Sequence, residues 1–159
     1  MTRTLCVVVA VIGLTSIVAL GQAKPDPKIL MGTWKLNVEK SKFTPGPAPK
    51  TTTLTWKPTP TGFSLTIDGV NAEGQTMQLQ QNGTFDGTPY AVKFANFNSM
   101  QTTKWVDAFT LTEVNTLDGK VRTSRTIVIS NDGKTLTSMS KGVDAQGQPT
   151  SNTTVYEKQ

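Results

Sequence analysis

From Lys50 to the carboxyl end the chain repeats one pattern: short runs in which every second residue is large, broken by turn dipeptides. Leu54 and Trp56 share a face, as do Phe63, Leu65 and Ile67, then Met77 and Leu79, then Tyr90, Val92 and Phe94. Phe109 with Leu111, Ile127 with Ile129, and Thr154 with Tyr156 continue the series. A two-residue period marks a half-buried strand, and no window carries the period of a long amphipathic helix. Between the runs stand Asp68-Gly69, Glu73-Gly74, Asn82-Gly83, Asp86-Gly87, Asp118-Gly119 and Asp132-Gly133. Asp-Gly and Asn-Gly tolerate the positive φ that tight hairpins demand, so consecutive strands are expected to be antiparallel neighbours.

Upstream, Ile29 to Leu36 holds a first strand with Trp34 and Leu36 on one face. In Phe43-Thr44-Pro45-Gly46-Pro47-Ala48-Pro49 a proline at every second position forbids helix, so this stretch is an extended loop between two strands. A meander of about eight to ten strands must hide its edges, and closure into an up-and-down barrel does so with short connections. A sandwich needs a longer crossover, for which the Phe94 to Thr103 stretch is the candidate. The expected fold is all-β, an antiparallel meander β-barrel.

The amino terminus reads differently. Arg3 precedes the apolar run Leu5 to Leu20, and Gly21-Gln22-Ala23 offers small residues at the spacing a signal peptidase uses. Residues 1–23 are therefore expected to be a cleavable signal peptide, residues 24–159 one barrel domain, and the protein periplasmic or secreted. A lipoprotein anchor needs a cysteine at the end of the apolar run, whereas Cys6, the chain's one cysteine, sits at its beginning. No second apolar stretch follows, so the mature chain is expected to lack an integral membrane segment. It is also expected to lack disulfides and a thiolate nucleophile.

The chain has no histidine. A serine nucleophile thus loses its usual base and zinc its commonest nitrogen ligand, so neither catalytic nor metal-binding residues are assigned, and no cofactor. Asp68, Glu73, Asp86, Asp118 and Asp132 each precede a glycine, where turn geometry already accounts for them. A glycosidase-like carboxylate pair is the one enzymatic reading that survives. The net charge of +5 gathers in Lys24, Lys28, Lys35, Lys40, Lys42, Lys50 and Lys57, against Asp26 and Glu39. That flank reads either as a solvated surface or as a contact for an anionic envelope. Nucleic-acid binding is not expected, because the lysines lack interleaved arginines and aromatics. A monomer is expected.

For a ligand, the candidates are Trp34, Trp56, Phe63, Phe94 and Tyr156, which either line a pocket or fill it, since small barrels do both. By alternation Arg125 shares the face of Ile127 and Ile129, which makes it either an interior anchor for a carboxylate or a strand-end residue reaching solvent. One internal echo stands out: Gly69-Val70-Asn71-Ala72-Glu73-Gly74-Gln75 returns as Gly142-Val143-Asp144-Ala145-Gln146-Gly147-Gln148. Too few carboxylates alternate in it for a calcium loop, which leaves two similar hairpin turns.

Gly32-Thr33-Trp34-Lys35-Leu36 resembles the first-strand signature of the calycin superfamily, and Val155-Tyr156-Glu157-Lys158 resembles the closing strand of its fatty-acid-binding members. With Asp86-Gly87-Thr88-Pro89-Tyr90 and the Asp132 to Leu136 turn, the mature chain is similar to small exported bacterial lipocalin-like proteins. The resemblance implies a barrel that carries a small hydrophobic or amphipathic molecule. It departs from the fatty-acid-binding pattern at Thr154, where that family has an arginine, and in the proline loop, which takes the place of a helical lid. The alternative is a structural or interaction protein of the cell envelope, with a packed barrel and a basic amino-terminal surface.

Overall fold

The computed structural model describes residues 24–94, 97–144 and 146–159, without the side chains of Phe94, Phe97 and Asn98. The expected signal peptide lies outside the described residues. A short 3-10 turn (Pro27–Ile29) leads into β1 (Gly32–Lys42), β2 (Thr51–Thr59), β3 (Gly62–Val70), β4 (Thr76–Gly83) and β5 (Tyr90–Phe94). Then come β6 (Phe97–Trp105), β7 (Thr110–Leu117), β8 (Lys120–Ile129), β9 (Thr135–Val143) and β10 (Pro149–Lys158). All pairings are antiparallel, and the sheet order is β4-β3-β2-β1-β10-β9-β8-β7-β6-β5.

The first and last strands thus join, with Trp34 opposite Lys158 and Leu36 opposite Tyr156, and the meander curls into a nearly closed barrel. The remaining seam, between β4 and β5, has no ladder and is bridged by side chains. Gly83 ends β4 bare, and a Cβ there would lie 2.6 Å from the Tyr90 ring of β5. Phe63 stacks between Trp56 (ring centroids 4.8 Å) and Phe85 (4.7 Å) and meets Tyr90 edge-on at 5.9 Å. The stretch considered for a crossover is instead the β5–β6 hairpin.

Three of the dipeptides are hairpin turns as expected: Gly74 of Glu73-Gly74 takes positive φ between β3 and β4, Asp118 and Gly119 both do between β7 and β8, and Gly133 does between β8 and β9. Asp68-Gly69 is not a turn. Both residues are inside β3, opposite Gln78 and Met77, and the chain reverses at 71–75. The echo is one hairpin used twice. The Asn71 amide donates to the Gln75 carbonyl at 2.9 Å, and that of Asp144 to Gln148 at 2.9 Å. Each copy also opens with a glycine pressed on the neighbouring strand: a Cβ on Gly69 would meet the Thr51 carbonyl at 2.5 Å, and one on Gly142 the Arg122 carbonyl at 2.2 Å. Close backbone approach, rather than turn conformation, requires those two glycines.

The two ends of the barrel differ. At one, Leu30, Trp34, Trp56, Phe63, Leu111, Ile127, Ile129, Leu136 and Tyr156 form the packed core. The amino-terminal turn stoppers it: Asp26 accepts the Lys28 amide, Leu30 is fully buried, and the Trp34 indole donates to the Leu30 carbonyl at 2.8 Å. Lys158 crosses over the Trp34 ring at 4.9 Å and donates to the Ile29 carbonyl at 2.9 Å. At the other end β1 pairs β2 only through Lys35, then bulges between Asn37 and Lys42 and follows β10 alone. Phe43, partly buried, packs against the core, and the proline loop is tied to β10, the Ser151 amide donating to the Thr44 carbonyl at 2.7 Å.

Antiparallel folding also divides the basic flank. Lys28, Lys35 and Lys57 fall at the stoppered end, Lys42 and Lys50 at the other, and Lys40 pairs with Glu157 at 2.8 Å, so the lysines make no single basic surface.

Candidate functional site

The end opposite the stopper encloses a cavity of about 460 Å³. Ile67, Leu79 and Val92, from β3 to β5, give it an apolar wall, to which Leu117 and Val143 add near the mouth. Facing them is a polar wall from β6 to β8: Ser99, Gln101, Glu113, Asn115, Thr123 and Arg125, with Gln81 of β4 beside it. A volume of this order, lined by apolar surface with a few convergent polar groups, is what a small-molecule site requires.

The strand period explains who faces inward. Glu113 and Asn115 continue the face of buried Leu111, and Arg125 continues that of Ile127 and Ile129. Arg122 breaks the rule. Asn115 pairs with Thr123 but Thr116 pairs with Val121, so one extra residue enters β8, and this bulge lets Arg122 and Thr123 both line the cavity. Arg122 donates to the Asp144 carbonyl and so pins the β9–β10 hairpin at the mouth.

One network organises the cavity floor. Arg125 Nη1 donates to Glu113 Oε2 at 2.7 Å, and the Thr103 hydroxyl lies 3.4 Å from Glu113 Oε1. The Tyr90 hydroxyl bonds Thr103 Oγ1 at 2.7 Å and accepts from Gln101 Nε2 at 3.0 Å. Higher up, Asn115 Nδ2 donates to the Ser99 hydroxyl at 3.0 Å. Glu113 is 3% exposed, whereas Arg125 keeps 39% of its side-chain surface free, because the guanidinium borders the open cavity. Burial works against the Arg125 charge, but the Glu113 carboxylate beside it prevails and holds it above its usual range. Burial pushes the Tyr90 phenol up to about 12, and it raises Tyr156 as well.

Of the residues expected at a ligand, Arg125 lines the cavity. Trp34, Trp56, Phe63 and Tyr156 are in the packed core, where they fill the stoppered half rather than line the hollow one. The side chain of Phe94 lies outside the described residues. The interior is therefore half packed and half hollow. Glu113 was not among the expected residues, although the alternation running from Leu111 points it inward. Glu113 and Asp144 both line the cavity but do not act together: Glu113 is paired on the floor, and Asp144 Oδ1 caps its own turn through the amides of Gln146 (2.9 Å) and Gln148 (2.8 Å). Among the described residues no three His, Cys, Asp or Glu side chains group as a metal site would need, and no helix is long and apolar enough to cross a membrane.

No protein-family model and no curated protein matches this sequence. Solved structures do share the fold. An extracellular fatty acid binding protein, As-p18, superposes with a TM-score of 0.54 at 14% identity, covering 86% of this chain and all of that one (100%). Zebrafish ileal bile acid-binding protein complexed with cholic acid superposes with a TM-score of 0.51 at 10% identity, over 82% of this chain and 99% of that one. The three thus share one fold, an antiparallel meander barrel.

Proposed function

We propose that this chain is an exported small-molecule-binding protein that holds a hydrophobic or amphipathic ligand in the open half of its barrel. The observation that carries the reading is the cavity itself: about 460 Å³, apolar along Ile67, Leu79 and Val92, and facing a hydrogen-bonding wall. Barrels of the same fold include a fatty acid binding protein and a bile acid-binding protein crystallised with cholic acid, which supports binding as the use of such an interior. Burial of an alkyl chain stabilises a complex by about 0.8 kcal/mol per methylene, so eight methylenes contribute about 6 kcal/mol against the cost of association, and hydrogen bonds to the facing polar wall add to that. Export rests on the amino-terminal pattern of Arg3, the apolar run and Ala23.

Native mass spectrometry of protein recovered from its own host, joined to displacement of a cavity-seeking fluorescent dye by alkyl amphiphiles, tests the reading. A bound adduct of lipid-like mass and saturable displacement are expected. Absence of both contradicts it. Edman sequencing of the exported protein should begin at Lys24, and an uncut amino terminus contradicts export by this route.

A further inference from the structure

We propose that Glu113 makes the cavity select neutral, hydroxyl-bearing amphiphiles over carboxylate-headed ones of equal chain length; this rests on the binding reading above. A lone arginine on the floor of an apolar cavity is a carboxylate site. Here that arginine is already matched. Glu113 is its direct partner across the β7–β8 ladder, its carboxylate meets the guanidinium at 2.7 Å, and it is 3% exposed.

The consequence is electrostatic. An entering carboxylate leaves water for a floor whose nearest charges sum to zero, and it finds the Glu113 carboxylate beside the guanidinium it would need. The attraction that offsets desolvation of the anion is therefore largely spent within the protein. A hydroxyl meets no such obstacle. It donates and accepts at once, so it can accept from the Arg125 N–H groups not turned to Glu113 while donating to a carboxylate or amide oxygen. The wall above repeats that chemistry, because Gln81, Gln101, Asn115 and Thr123 each offer both a donor and an acceptor without charge. Arg122 does not restore a free cationic floor: it is at the mouth and donates to the Asp144 carbonyl.

Isothermal titration calorimetry with dodecanoate and with glycerol monododecanoate, both below their micelle concentrations, reads the preference directly. The wild-type protein is expected to bind the monoglyceride at least tenfold more tightly. Glu113→Gln, which keeps shape and frees the guanidinium, is expected to gain at least tenfold in dodecanoate affinity. Arg125→Gln, the second variant, is expected to weaken both ligands but dodecanoate the more, so that the preference for the monoglyceride widens. Circular dichroism confirms that each variant is folded, and the wild-type ranking decides the matter should Glu113→Gln not fold. A wild-type preference for dodecanoate, or an unchanged ratio in folded Glu113→Gln, overturns the assignment while leaving a binding cavity in place. Failure of both ligands to bind, in protein stripped of endogenous lipid, overturns the binding reading with it.

Discussion

Glu113 on β7 and Arg125 on β8 are register partners whose side chains meet at 2.7 Å inside the barrel, next to the packed pair Leu111 and Ile127. The pair marks the level at which a solid core gives way to a cavity. Below it the inward positions of these two strands, Leu111, Ile127 and Ile129, are apolar and packed; above it Asn115 and Thr123 line open space.

Removal of one partner tests what that boundary contributes to stability. Glu113→Ala leaves the Arg125 guanidinium without its carboxylate, but the cavity hydrates it, so the loss is smaller than for a sealed charge. A cost of about 1–2 kcal/mol is expected, read as a lowered urea midpoint at neutral pH. A change below about 0.3 kcal/mol contradicts the pairing.

Alkaline pH tests the burial of the phenols. Because the folded Tyr90 pKa is raised to about 12 from an ordinary 10, the folded state holds its proton where the unfolded state has released it. Stability from this source is complete below about pH 10 and falls as pH climbs toward 12, with Tyr156 shifted in the same direction. Ultraviolet titration should show no tyrosinate until the barrel opens. Ionisation of either tyrosine at its ordinary pKa, with the fold intact, contradicts this.

Gly142→Ala should be costly because the new methyl meets the Arg122 carbonyl at 2.2 Å, where backbone rather than a flexible side chain must yield. About 2–3 kcal/mol is expected, with faster amide exchange in the β9–β10 hairpin that Arg122 holds. Wild-type thermal stability and exchange in this variant contradict the close strand approach.

Filling the cavity should separate binding from stability. Leu79→Trp places an indole into the hollow half without touching Trp34 or Tyr156. Amphiphile affinity is expected to fall at least tenfold while the melting temperature holds or rises. Unchanged affinity argues that ligands bind elsewhere.

Much of the barrel is readable in its residues. The pairs Trp34–Leu36, Leu54–Trp56 and Phe63–Leu65 all face inward because a two-residue period allows one buried face only. The same period reports a face and not a height along the axis, so it cannot separate Trp56, deep in the packed half, from Val92, beside the cavity. Asp68-Gly69 misleads for a related reason: its glycine answers a crossing backbone at Thr51, a demand that is local in space but distant in sequence. Arg122 is hidden by the β8 bulge, which turns an outward position inward. Glu113 was visible through its alternation with Leu111, but a carboxylate pointing into a barrel has meaning only once Arg125 is seen opposite.

The most direct test follows backbone amide chemical shifts while glycerol monododecanoate is titrated into isotopically labelled protein. Saturable shifts are expected at Ile67, Leu79, Val92, Gln101 and Arg125, with Trp34, Leu136 and Tyr156 unmoved. Shifts confined to the stoppered end or the outer surface, or none at saturating ligand, would contradict a binding site in the open half of the barrel.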